Sequence, residues 1–220
     1  MSSFPEPVDI DNHSESQDFY VDLGAEKKRI FNPVCWDTSE PLLVRQVTQY
    51  NQGEHITRLK EIDHQFDMTF PCAQSPVVFI NGGSDSSSAP IPWSVTFAPW
   101  SLHNLSGVLE RPLPQTTLGA KQEAILKLLE FLRVADVATV WRKVIVAVSN
   151  EDSMARMVTW FEEDTDNNYT GPTPNLLTEE GRTKHISLNL KVVCLLRRLD
   201  VKFWLVPNTQ ILKPWNGMTA

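Results

Sequence analysis

Cysteine is scarce in this chain. Only Cys35, Cys72 and Cys194 occur among 220 residues. They are far apart and odd in number, which argues against a disulfide framework and a CxxC metal site and favours a reducing compartment. Long apolar runs are also missing. None exceeds Val144 to Val148, far short of the roughly 20 residues a membrane-spanning helix needs. Met1 to Asp18 lacks a basic stretch followed by an apolar one, so no secretory leader is visible. These absences lead us to expect an intracellular protein, cytoplasmic or nuclear, with no membrane partner.

An excess of positive charge is missing too. The formal net charge is −7, and residues 1 to 70 hold all of it, with 13 Asp and Glu against 6 Lys and Arg. Residues 71 to 220 carry 14 of each and are neutral. Lys and Arg that neutralise phosphates supply most non-specific nucleic-acid affinity, so tight general binding of nucleic acid is disfavoured. At this length, with 41% hydrophobic and 21% charged residues, one domain with a substantial core is expected.

The first twenty residues mix Ser, Pro, Asp and Glu with few large apolar groups, and are expected to be disordered. From Arg29 to Phe70 the pattern is irregular. Phe31, Trp36, Leu42, Leu43 and Val44 could anchor this stretch, and Leu59 to Phe66 suggests a short helix. Pro76 to Ile80 reads as a strand ending in a turn at Asn81-Gly82-Gly83. Ile91 to Ala98 and Leu105 to Leu113 read as two more strands, completing an antiparallel meander. Ile125, Leu128, Leu129 and Leu132 have helical spacing, with Thr116 and Thr117 as caps. Val144 to Val148 suits a strand covered on both faces. Met154, Met157, Val158 and Phe161 suggest a second helix, 162 to 180 a loop, and Leu188, Val192, Leu195, Leu196 and Leu199 the buried stripe of a third helix. Val201 to Val206 closes with a strand.

This β-β-β-α-β-α-α-β order, with four local matches, resembles the ribonuclease H type 1 domain, particularly its fungal members. The matches are Val78-Phe79-Ile80-Asn81-Gly82 for the first strand and its glycine, and Gln115-Thr116-Thr117 with Ala120 for the entry into the first helix. Val146 to Glu151 matches "IATDSE", and Val201 to Pro207 matches the closing "V.FW.VP". The resemblance implies an α/β, ribonuclease H-like fold: a mixed five-stranded sheet, three antiparallel strands then parallel strands, flanked by helices. It divides the chain into an acidic, partly disordered N-terminal extension (1–70), a ribonuclease H-like domain (71–208) and a C-terminal tail (209–220).

The family cuts the RNA strand of RNA-DNA hybrids with two divalent metal ions held by four carboxylates, since hard cations of this kind require anionic oxygen ligands. Carried over position by position, those carboxylates fall on Asn81, Lys121 and Ser149, and no Asp or Glu follows Asp200 to supply the fourth. The resemblance therefore implies a catalytically dead relative with no metal cofactor, retained as an interaction module or a weak binder of RNA-DNA hybrid or of a protein partner. The alternative is an active hybrid ribonuclease using Mg²⁺ or Mn²⁺ on relocated acids, Asp85 and Asp152. Glu123, about 200° round the helix from Lys121, points away from the site.

Plainer readings stand beside these. Asn81-Gly82 also suits a tight turn, and Ser149 with Asp152 fits a helix-capping pattern. Asp164 to Asn168 opens like a calcium loop, but Tyr169 and Asn175 occupy its required glycine and glutamate positions. His55 and His64 lack the one-turn spacing of a helical metal pair, and His103 and His185 are isolated. Arg142-Lys143 and Arg197-Arg198 read as solvated charge, and Trp93, Trp100, Trp160 and Trp204 as packing residues.

Overall fold

The structure, a computed structural model, describes residues 20–22, 29–35, 38–63, 68–83, 90–149 and 173–212. The second helix expected around Met154 to Phe161 lies outside them. Strands β1 (Tyr20–Asp22) and β2 (Pro33–Cys35) form a small antiparallel pair. The main unit comprises α1 (Val44–Val47), β3 (Thr48–Asn51), β4 (Ile56–Asp63), β5 (Met68–Gly82), β6 (Pro92–Thr96), β7 (Leu105–Val108), α2 (Thr117–Val134), β8 (Lys143–Ser149), α3 (Glu179–Arg197) and β9 (Asp200–Val206).

The five expected strands lie in the order β7-β6-β5-β8-β9. β6 and β7 run antiparallel to their neighbours, while β8 and β9 run parallel with β5. This is a mixed α/β sheet, antiparallel on one side and parallel on the other, as the resemblance implied. Two further strands extend it to seven, because β4 pairs with the first half of β5 and β3 pairs with β4. The helix expected over Leu59 to Phe66 is therefore replaced, as far as Asp63, by strand. Ile56 and Leu59 are buried, and pairing with the distant β5 overrides local preference.

Arg58 makes that pairing tolerable. Pro71 and Pro76 of β5 lack ladder donors, and the register shifts between Arg58 and Lys60. The Arg58 guanidinium, buried in the irregularity, donates to the carbonyls of Cys72 and Ala73 and pairs with Glu54.

Alternation along β5 and β8 sends apolar side chains to both faces, as a two-sided parallel core requires. Val78, Ile80, Val144, Val146 and Val148 meet Ile125, Leu128 and Leu132 of α2 and Ile186, Leu190 and Val193 of α3. Val77, Phe79, Ile145 and Ala147 are covered by Phe31, Val44, Val47, Leu59 and Ile211. Residues from both chain ends thus close the second face. Each fully buried Leu or Phe contributes about 1.5–3 kcal/mol.

The third helix differs from expectation in its orientation. α3 buries Arg182, Ile186, Ser187, Leu190 and Val193. Val192, Leu195 and Leu196 are instead 39%, 79% and 69% exposed. Two apolar stripes run along this helix, and the one containing Arg182 faces inward because α2 supplies its partner charge. Among the described residues, no helix is long and apolar enough to cross a membrane.

Candidate functional site at the strand ends

Parallel strands β5 and β8 end side by side. Phe79 pairs with Ala147, and two residues further along each strand stand Asn81 and Ser149. The start of α2 is held over these ends. Thr116 caps the helix by accepting from the Gly119 amide at 2.9 Å, and Thr117 Oγ1 donates to the Gly83 carbonyl at 3.0 Å. Gly82 permits this approach: a Cβ there would stand 2.8 Å from the Thr117 carbonyl oxygen and 3.1 Å from Lys121 Cγ.

Lys121, on the first turns of α2, is thereby driven inward. It is 2% exposed and donates from Nζ to Ser149 Oγ at 2.5 Å, with Ser149 1% exposed. Burying an ammonium costs several kcal/mol unless hydrogen bonds compensate, and a charge-assisted bond to a hydroxyl is one such compensation. Lys121 and Ser149, 28 residues apart, are brought together, with half-buried Asn81 at the neighbouring strand end.

This donor set does not fit a divalent metal. Asn81 and Ser149 offer neutral oxygens, and Lys121 offers a cation. A divalent ion about 4 Å from the ammonium would meet about 8 kcal/mol of repulsion at the effective dielectric of partly buried charges, twice the unit-charge value. Among the described residues, no group of three or more His, Cys, Asp or Glu could hold a metal. Asp85 and Asp152 lie outside the described residues. So does the capping pattern ascribed to Ser149 and Asp152; within the described residues Ser149 ends a strand.

A polar layer joins α2 and α3 beside this point. Gln122 donates to the Glu179 carbonyl at 3.0 Å and to Thr183 Oγ1 at 2.9 Å. Arg182, 2% exposed, donates to Glu123 Oε2 at 2.8 Å. Glu123 does turn away from Lys121, and its partner is an arginine the sequence did not single out. Gly181 follows from the same crowding, since a Cβ there would fall 1.9 Å from the Asn175 carbonyl. At the exposed start of α3, the Lys184 ammonium hydrogen-bonds Glu180 and holds its carboxyl below the usual range.

The remaining candidates are dispersed. His55 accepts from or donates to the Tyr50 hydroxyl at 2.6 Å, His103 packs on Phe97 and Phe131, and His185 meets Asn189. Trp204 is buried edge-on against Phe31, Trp93 is partly buried in the core, and Trp100 is 53% exposed. His64 and Trp160 lie outside the described residues. Burial raises the Cys72 and Cys194 thiols above the ordinary value. A Glu61 hydrogen bond adds to the effect at Cys72, whereas the Arg29 charge works against it at Cys194.

No protein-family model matches this chain, and no curated protein does. The solved structures similar to it include two of LC11-RNase H1. LC11-RNase H1, isolated from compost by a metagenomic approach, is 18% identical, with a TM-score of 0.40 over 60% of this chain and 84% of that one. The crystal structure of LC11-RNase H1 in complex with an RNA/DNA hybrid is 18% identical, with a TM-score of 0.41 over 61% of this chain and 87% of that one.

Proposed function

We propose that this chain is a ribonuclease H-like protein without metal-dependent nuclease activity, retained as an interaction or weak nucleic-acid-binding module. In this reading residues 71–208 are the ribonuclease H-like unit, 209–220 a tail, and 1–70 an extension that adds β3, β4 and the start of β5 to the unit's sheet. One observation carries it: the buried Lys121 ammonium bonded to Ser149 at the converging ends of β5, β8 and α2. A side chain that brings a positive charge into the site from within repels the ion that would polarise a phosphate, so no metal-dependent in-line displacement can be assembled there. The even charge balance of residues 71 to 220 favours weak rather than tight nucleic-acid binding.

Cleavage of a labelled RNA-DNA hybrid by the full chain in Mg²⁺ or Mn²⁺ tests this. No product is expected, with at most salt-sensitive binding of the hybrid in the same samples. Cleavage that disappears in Asp85→Asn/Asp152→Asn protein would overturn the proposal in favour of a relocated metal site.

A further inference from the structure

The outward stripe of α3 is the least expected feature of the surface. Val192, Leu195 and Leu196 lie in the last turns of a helix whose opposite side is core, and Val134, at the end of α2, is 67% exposed. The Arg197 guanidinium donates to the Arg133 carbonyl at 2.8 Å, which fixes these helix ends side by side. Arg133, Arg197 and Arg198 therefore border exposed apolar side chains on a chain whose net charge is −7.

We infer that residues 1–19 of this chain dock on this arginine-edged apolar stripe. They carry Glu6, Asp9, Asp11, Glu15 and Asp18 with no Lys or Arg, and Val8-Asp9-Ile10-Asp11 alternates apolar with acidic residues. Such an alternation suits an apolar stripe edged by arginines, because side chains of an extended segment point alternately to two sides. Nineteen residues reach about 60 Å when extended, several times the roughly 16 Å radius of gyration of a domain this size. The segment joins β1 at Tyr20, which pairs with Cys35 of β2, and just before β2 the chain runs beside the stripe's end of the fold. Arg29 pairs with Asp200 at 3.5 Å, just after α3, and Ile30 bridges to Phe203 of β9.

The apolar spacing of Met154 to Phe161 makes that segment the main rival occupant. As a helix it would span about 12 Å. The strand before it ends at Ser149 and the helix after it begins at Glu179, both at the opposite end of the fold, where Glu179 meets Thr116 at the start of α2. Leu195 lies sixteen residues along α3 from Glu179, about 24 Å. A short helix tethered there reaches the first half of α3 more readily than its last turns.

Hydrogen exchange read by mass spectrometry on the full chain tests the proposal, with Leu195→Ser/Leu196→Ser and Arg133→Glu/Arg198→Glu variants. All four positions are exposed, so the fold should persist, and unchanged exchange in β5 and β8 will verify this. The expected result is exchange of residues 1–19 slowed about tenfold relative to a free chain in the parent. That slowing should be lost in both variants and reduced by 0.5 M salt (about a 4 Å Debye length). Free-chain exchange in the parent overturns the proposal, as does slowing that neither variant alters. Protection that rises with protein concentration would assign the stripe to a second copy. Loss of protection confined to residues 150–172 would assign it to that segment. Either result also overturns the proposal.

Discussion

Replacing Glu123 with alanine strips the counter-charge from a guanidinium that is 2% exposed. Arg182 would keep a single long bond, 3.4 Å to the Gly119 carbonyl, and its Nε already has no partner. Leaving a buried charge uncompensated costs about 3–5 kcal/mol. The reverse change should be milder. Glu123 is 17% exposed and has Lys127 3.9 Å away, so Arg182→Met leaves a carboxylate that water and Lys127 can serve. Methionine also removes the unsatisfied Nε while filling much of the volume, for a cost of about 1–2 kcal/mol. Urea unfolding of the parent and both variants, followed by tryptophan fluorescence and circular dichroism, measures the difference. The account requires Glu123→Ala to be the more damaging by about 2 kcal/mol. Equal losses, or a larger loss for Arg182→Met, would refute the view that desolvated charge sets the energetics of the α2–α3 contact.

Three other substitutions and one pH series probe the same structure. Arg58→Met should cost about 2–3 kcal/mol in urea unfolding, because the Cys72 and Ala73 carbonyls lose their donor inside the strand irregularity. Gly82→Ala should cost about 1–3 kcal/mol, since its Cβ must displace the start of α2, whereas Thr116→Ala should remove only a cap worth about 1 kcal/mol. Cys72 and Cys194 have folded pKa values raised by burial. Both should therefore react slowly with a disulfide reagent at pH 8 until the chain unfolds. Their contribution to stability should be complete below the unfolded value of about 8.5 and be lost as pH rises from there toward the folded values. Unfolding free energies compared between pH 7.5 and 9.5, with and without Cys→Ser replacements, give the sign.

Much of the sheet was legible because its signals are local. Val77 to Ile80 is β-branched or apolar, Thr116 precedes a regular leucine stripe, and Val144 to Val148 reads as a two-sided strand. The turn expected at Asn81-Gly82 is instead the continuation of β5, paired with Ser94 and Trp93 of β6. What escaped depends on partners distant in sequence. Arg58 interrupts the alternation of β4, and its carbonyl partners lie 14 and 15 residues away, so the segment reads as irregular. On α3, Leu188, Val192, Leu195 and Leu196 advertise a core, yet the face containing Arg182 is buried because Glu123 awaits it on α2. Apolar spacing identifies a helix but does not choose between two faces when the buried one carries a paired charge. At the site, Asn81, Lys121 and Ser149 could each be placed singly from the resemblance. That the lysine turns inward to bond the serine follows from the close approach at Gly82 and the capping of α2, which are features of packing.

In the proposed reading, Lys121 occupies, from within the fold, the place a metal ion would need. Titration of the full chain with Mn²⁺, followed by electron paramagnetic resonance of the free ion, decides whether it does. The account predicts no stoichiometric uptake by the parent at millimolar Mn²⁺. Uptake of one or two equivalents by the parent, abolished in Asp85→Asn/Asp152→Asn protein, would contradict it.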